Sequence, residues 1–331
     1  MAQIPTSKAH SKQIEAGTIG RKEGHKFEAL LAAEINKLNG AVFTPTNNTS
    51  HLLQGNPARN LIQYISNNRN TVIKSVKASW LGGLATSGLG DAITDDNGNP
   101  ITKSKSDVLI KIQTQDTTET VGISVKTCNK KNPTNDQMFF TTAKAFCQLL
   151  SGNGIEVSEE AMAGLSMFCG DVGYRPADRM SKEALAVRNL DPNRYYWEEM
   201  PIKAQNDWND IISKNQDEIS LLLFQKAYKD DPFPPEYLLH QTVKYTDFKN
   251  CETAIFSTNE IIQLSKKHSG FVLSGYRIYK GTYKNKDVVH MAPRFGIIQF
   301  QRGGQKVHPT QLQFNLKSGY FYILKDYFDK T

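Results

Sequence analysis

Two short runs place a β-branched apolar residue at every second position, the period of a β-strand: DVLIKI at 107–112 and VGISVKT at 121–127. Both are rich in β-branched residues, and the polar segment 113–120 between them has no helical periodicity. Residues 103–131 are therefore predicted to form a β-hairpin. Side chains alternate faces along a strand, so Val108, Ile110 and Ile112 share one side and Asp107, Leu109 and Lys111 the other. In the second run Ile123 and Val125 face one way, Ser124 and Lys126 the other. A turn centred between Asp116 and Thr117 sets Asp107 opposite Lys126, with β-carbons about 5 Å apart.

Helical spacing appears elsewhere. Phe27, Leu30, Leu31 and Ile35 predict a helix over 19–38, stopped by Asn39-Gly40. Residues 1–18 are polar and read as a flexible arm, either disordered or tracking a polyanion through Lys8, His10 and Lys12. AVFTP at 41–45 is a short strand or the start of a loop; a helix ending near Asn67 and a strand at 71–76 follow. The glycine-rich stretch 80–92 has no GK[ST] after it, which excludes a phosphate-binding loop; it reads as a loop into the core, followed by a turn at 94–100. Further helices are predicted at 142–150, within 152–173 with Ser158 as cap, and across 195–226. There Trp208, Ile211, Ile212, Ile219, Leu222 and Leu223 read as core and not as base-stacking platforms. Over the last hundred residues the pattern shifts to short β-rich runs with Gly- and Asn-containing turns, an antiparallel region.

Composition changes this picture little. The chain has 331 residues, 39% hydrophobic and 22% charged, enough to bury a sizeable core. A net charge of +7 favours polyanionic partners. The four cysteines are far apart with no CxxC, and the seven histidines form no cluster, so reduced buried thiols and no zinc site are expected. No apolar run approaches the ~18 residues of a membrane span, and the first residues lack the apolar core of a signal peptide. A soluble, cytoplasmic protein is expected.

The hairpin carries the candidate chemistry. A carboxylate, a hydroxyl and an ammonium on one polar face suit metal-assisted phosphodiester hydrolysis. Magnesium keeps several waters and takes only one or two protein carboxylates beside phosphate oxygens, and a nearby lysine can orient the attacking water. A surface hairpin whose Asp107 and Lys126 form a solvated ion pair has the same spacing.

The pattern SD107-VLI followed by S124-V-K126 resembles the catalytic core of the PD-(D/E)XK nuclease superfamily. More narrowly it is similar to the MspI-type type II restriction endonucleases, whose motif runs (K)(S/T)D and then polar residue-x-K. Ser106 stands where the superfamily has proline. Ser124 stands where most members have Asp or Glu, although the MspI type also uses a non-acidic residue there. The resemblance implies an α/β fold, a restriction-endonuclease-like core of mixed central sheet flanked by helices, with a β-rich C-terminal region. It implies Mg²⁺ held by Asp107 and the backbone carbonyl of Val125, with Ser124 at the second ligand position through its hydroxyl or a water. Lys126 would position the attacking water. KFEALL is similar to the superfamily's helix before the core sheet, which makes Glu28 a further candidate; by periodicity alone it flanks an apolar stripe. Asp91 is an additional loop carboxylate.

Lys130 and Lys131, just beyond Lys126, would hold DNA phosphates or line a solvated loop. The segment FGIIQFQRGG…LQFN is similar to the C-terminal segment of MspI-like enzymes. Gln299, Gln301, Arg302 and Lys306 there suit base readout, since Arg can take guanine O6 and N7 and Gln adenine N6 and N7; basic edge strands also resist aggregation. The expected organisation is an arm (1–18), a catalytic core with helical insertions (19–230) and a recognition region (231–331). The expected function is a type II restriction endonuclease cutting duplex DNA at a short specific sequence, as monomer or homodimer, with a cognate DNA methyltransferase. A structure-specific repair or junction nuclease of the same fold, or an inactive DNA-binding module, are the alternatives.

Overall fold

The computed structural model describes residues 8–48, 50–82, 94, 97–101, 104–132, 135–225, 231–268, 270–279, 283–302 and 311–316; the side chains of 8–21 and 136 are left aside. Its first elements are α1 (Lys8–Asn36), β1 (Leu52–Gly55), α2 (Pro57–Asn68), β2 (Ser75–Trp80), β3 (Val108–Gln113), β4 (Thr118–Thr127) and β5 (Asp136–Thr142). Helices α3 (Ala143–Ser151), α4 (Glu159–Cys169), α5 (Pro176–Arg179), α6 (Lys182–Arg188), α7 (Ile202–Lys214) and α8 (Gln216–Phe224) follow. Then come β6 (Pro235–Gln241), β7 (Cys251–Ser257), α9 (Thr258–Lys266), β8 (Phe271–Ile278), β9 (Asn285–Phe295), β10 (Ile298–Arg302) and β11 (Gln311–Leu316). Among the described residues no helix is long and apolar enough to cross a membrane. The four cysteines are buried and unbridged.

The chain is mixed α/β and forms two compact units. One comprises Lys12–Asp136 with Leu221–Leu264, the other Gln137–Ser220 with residues of Ser265–Lys317. This differs from the expected division at residue 231. The strands β6 and β7 lie beyond that point yet share a sheet with β3 and β4, and the segment read as core insertions groups with the C-terminal strands. The reason is the pairing of β6 with β4, which is parallel. Parallel neighbours need a long crossover, so they are remote in sequence and leave no local signal. The helix α1 also begins at Lys8, inside the segment read as an arm. Good helix formers dominate there, and no proline follows Pro5 before Pro45.

In the first unit the described strands form a mixed sheet in the order β1-β7-β6-β4-β3-β2. Val108, Ile110 and Ile112 of β3 and Val121, Ile123 and Val125 of β4 share one buried cluster with Phe27, Leu31 and Ile35 of α1 and Leu61, Ile62 and Ile65 of α2. Each such side chain contributes about 1.5–3 kcal/mol on burial. Leu109 packs on the opposite face with Leu81 and Ile101. The helix α2 starts where Asn56 Oδ1 accepts the N–H groups of Ala58 (2.9 Å) and Arg59 (3.3 Å), with Pro57 in its first turn. At its other end Arg69 bridges Glu119 of β4 and Glu236 of β6 (2.6 Å to Glu236) and donates to Tyr237 Oη at 3.0 Å. One guanidinium thus ties the parallel pair together at its start.

The hairpin register differs from the expected one. Gln113 pairs with Thr118 and Val108 with Ile123. Thr114 Oγ1 accepts the N–H groups of Asp116 (3.3 Å) and Thr117 (3.0 Å), while Thr114 N–H donates to Thr117 O (2.9 Å). This threonine tightens the turn around Gln115-Asp116, so the residue beside Asp107 is Ser124 and not Lys126. The shift moves the partner by two positions, which leaves every side chain on its expected face.

The second unit holds a sheet in the order β5-β11-β10-β9-β8, antiparallel from β11 to β8. Its core joins Phe295, Phe300 and Phe314 to Phe146 of α3 and Trp208 of α7, all buried, with the Phe146 and Phe314 ring centroids 4.6 Å apart. Ser158 caps α4 as expected, its Oγ accepting Ala161 N–H at 3.0 Å. Of the β-rich C-terminal runs, GYFYIL at 319–324 lies outside the described residues, as do Asp91 and Lys306.

Gly122 marks a point of close approach in the first sheet. A Cβ there would lie 2.3 Å from Ser106 Oγ and 2.7 Å from the carbonyl oxygens of Phe233 and Pro234. Gly122→Ala is expected to cost about 1–3 kcal/mol in chemical denaturation. Removing the hydroxyl as well, in Gly122→Ala/Ser106→Ala, should not restore stability, because two backbone carbonyls still block the methyl group. Wild-type stability in either variant would show that this approach is not tight.

Candidate active site

The site grows from the residue that precedes β3. Asp107 extends the ladder, its N–H donating to Ile123 O at 2.8 Å. Its Oδ2 then collects three donors from β4: Val125 N–H at 2.6 Å, Lys126 Nζ at 3.3 Å and Ser124 Oγ at 3.4 Å. The main-chain bond is short and charge-assisted. Asp107 Oδ1 has no partner among the described residues, and the side chain keeps 26% of its surface exposed. Lys126 Nζ also donates to the Val125 carbonyl at 3.0 Å. One carboxylate oxygen is thus fixed and the other is presented.

Glu28 approaches from α1 and is 8% exposed. It accepts Trp80 Nε1–H at 3.0 Å. Burial raises its carboxyl to about 7, helped by the negative charge of Asp107 and opposed by the Trp80 hydrogen bond and Lys126. Two carboxylates therefore face one region at close enough range to repel. Gly82 keeps the Glu28–Trp80 pair clear, since a Cβ there would lie 2.5 Å from Glu28 Oε2.

A second lysine lies beside the first. Burial lowers Lys105 to about 7, Lys126 lowers it further by like charge, and Asp107 pulls it back. The backbone here is anchored by a residue the sequence pattern does not single out. Asp231 accepts Ser104 Oγ–H (3.0 Å), Lys105 N–H (2.6 Å) and Phe233 N–H (3.1 Å). Ser106 Oγ donates to Phe233 O at 2.7 Å. Asp231 and Ser106 thus position the Asp107 segment, and Trp80 holds Glu28. Asp231 adjoins the proline-rich break at 232–236, and nothing in its spacing ties it to residue 104.

No protein-family model matches the chain, and no curated protein matches it. The likeness to PD-(D/E)XK nucleases therefore rests on the residues themselves. Of those the sequence singles out, Glu28, Asp107, Ser124, Val125 and Lys126 come together. Ser124 Oγ donates toward Asp107, which makes it a support for that carboxylate. Lys130 and Lys131 are exposed on the loop after β4, whose backbone is pinned by Lys244 N–H donating to Lys130 O at 2.7 Å.

Gln299, Gln301 and Arg302 belong to the other unit. Gln299 and Gln301 are half-buried on β10. Arg302 does not project as an edge reader. Its side chain is 9% exposed, with Nη1 3.1 Å from Asp191 Oδ2 and Nε donating to Cys169 O at 3.1 Å. It shares the face of Phe300 and turns inward with it.

The donor set bears on the metal expectation. Among the described residues no group of three or more His, Cys, Asp or Glu gathers as a metal cage. Two carboxylates and a carbonyl are nonetheless hard oxygen donors of the number magnesium takes when water and phosphate complete its shell. A cation between Glu28 and Asp107 would also relieve their repulsion. The residues fit.

A raised carboxyl favours the protonated fold. Glu28 ionises at about 4.5 unfolded and about 7 folded, so its contribution to stability is present below pH 4.5 and lost as pH rises to 7. In divalent-free buffer, Glu28→Gln should remove this loss and flatten the decline in Tm from pH 4.5 to 7.5 relative to wild type. Parallel pH profiles for the two proteins would place the Glu28 carboxyl at its ordinary value.

Proposed function

We propose that this protein is a magnesium-dependent endonuclease that hydrolyses phosphodiester bonds of duplex DNA at a specific sequence, in the manner of type II restriction endonucleases of PD-(D/E)XK type. The observation that carries the reading is the convergence on Asp107: one oxygen held by Val125 N–H and Lys126, the other presented, with buried Glu28 alongside. A solvated surface ion pair would not need a buried second carboxylate or an anchored approach segment. The net charge of +7 and the exposed Lys130 and Lys131 are consistent with a polyanionic substrate.

Asp107, Glu28 and the Val125 carbonyl would hold the ion, which supplies positive charge against the phosphate and acidifies water. The remaining work belongs to the chain. Lys126 Nζ, poised between Asp107 and the Val125 carbonyl, orients the water whose oxygen bonds to phosphorus as a P–O ester bond breaks. Its charge also offsets the charge growing on the phosphate. Asp107 keeps that ammonium in place, Val125 N–H fixes the Asp107 rotamer, and Lys130 and Lys131 contact the backbone without reading sequence.

Plasmid digestion tests the reading. Discrete fragments are expected with magnesium and none without it; structure-dependent cuts would indicate a repair or junction nuclease, and no cuts a binding module. Asp107→Asn is preferred to Ala because the amide oxygen can still accept Val125 N–H. Asp107→Asn and Lys126→Ala should each lower cleavage by at least about a hundredfold, the lower end of what one acid–base or electrostatic group supplies. Their thermal midpoints should stay near wild type, and Ser124→Ala should retain measurable activity. Near-wild-type cleavage by Lys126→Ala would remove it from the reaction.

A further inference from the structure

In the second unit β9 and β10 are neighbours, yet among the described residues they pair only at Phe295–Ile298 and Arg294–Gln299. The next pair would join Pro293 to Phe300, and proline has no N–H to give a ladder. On its other side β9 stays paired with β8 through Tyr276–His290, and β10 stays paired with β11 through Arg302–Leu312. The two strands therefore splay. The wedge between them is a cavity of about 260 Å³ whose walls include Phe168, Tyr276, Phe300, Gln299, Arg194 and Arg302.

Its polar wall is rich in donors. Among the described residues Arg194 Nε carries a buried N–H with no hydrogen-bond partner, and its guanidinium lies 4.4 Å over the Tyr196 ring. Asp191 is shared by two cations, with Oδ2 3.1 Å from Arg302 Nη1 and 3.9 Å from Arg194 Nε. One carboxylate thus answers two guanidiniums. Asn315 Nδ2 donates to Gln301 Oε1 (2.7 Å), and Gln301 Nε2 donates to Gln299 Oε1 (3.3 Å). This relay occupies the Gln299 oxygen and leaves its NH₂ as the hydrogen-bonding group toward a ligand.

We propose that the wedge receives a guanine base swung out of a DNA duplex. Guanine presents two acceptors, O6 and N7, on one edge, the complement of a wall of arginine and amide donors. Its flat faces suit aromatic walls, and the volume lies just below the ~300–1,000 Å³ that holds drug-sized ligands. Adenine and cytosine each place an amino donor on that edge, against Arg194. Extruding a base costs stacking and pairing, which contacts in such a pocket offset. The source of the base rests on the DNA-cleaving reading above; the chemistry of the pocket does not.

The test uses the full chain without divalent cation, so that nothing is cut. Side-chain ¹⁵N–¹H signals of Arg194 Nε and Gln299 are followed by NMR during titration with guanosine, adenosine, cytidine, thymidine and inorganic phosphate. Guanosine should move both signals with a midpoint about tenfold lower than the other nucleosides, within the discrimination one base contact supplies, and phosphate should move neither. A duplex bearing one unpaired guanine should bind at least about tenfold tighter than GTP or the same duplex with an unpaired thymine. Gln299→Leu should lose the preference for guanine at unchanged Tm, and Arg194→Lys should weaken it. Silence of both signals to every nucleoside, equal shifts with phosphate, or GTP binding tighter than the bulged duplex would overturn the proposal. If the wild type cleaves no DNA but guanosine and the bulged duplex bind as expected, the catalytic reading falls and the pocket stands. Cleavage with no guanosine response overturns the pocket alone.

Discussion

The antiparallel pairing of β3 with β4 is the constraint on which the first unit depends, because one register serves two purposes. It turns Val108, Ile110, Ile112, Ile123 and Val125 toward the helices α1 and α2, and it sets Asp107 and Lys126 on the opposite face. A slip of one residue would bury the charged set and expose the apolar one, at a cost of several side chains' burial. The core therefore enforces the geometry of the site. The Thr114 turn sets which residues stand opposite, and Gly122 lets the Ser106 segment come close enough for Asp107 to be gripped by Val125 N–H.

Charge at the site is arranged for ready change. Asp107 and Lys126 form the fixed pair, and around them burial and like charge bring Glu28 up to about 7 and Lys105 down to about 7. Groups poised near neutrality in a partly buried cluster are more typical of functional centres than of surface ion pairs, where solvent levels such differences. The supports of the cluster, Trp80 and Asp231, contribute directed hydrogen bonds in place of charge neutralisation.

The second unit shows the opposite use of a sheet. Here the ladder stops at a proline, and a cavity opens where strands would otherwise close. Arg302 lines that cavity while being held by Asp191 and Cys169 O, so this residue stabilises the fold and shapes the wedge together. A buried ion pair of this kind is costly to break from one side, because the partner is left charged and desolvated.

Periodicity and local chemistry alone determined a good deal. The hairpin, the face on which Asp107, Ser124 and Lys126 lie, the apolar stripe of α1 and the Ser158 cap follow from alternation, 3.6-residue spacing and capping preferences. These act between residues a few positions apart. Trp208 as core was legible for the same reason, from its place on an apolar stripe. Tertiary structure decided the rest. Only the parallel contact of β4 with β6 brings Asp231 and Phe233 to Ser104–Ser106, across more than a hundred residues of chain. The inward turn of Arg302 depends on Asp191 and on the carbonyl of Cys169, neither predictable from strand alternation. The division into two units likewise followed from which strands could pair, and pairing between distant segments leaves no mark on the local sequence.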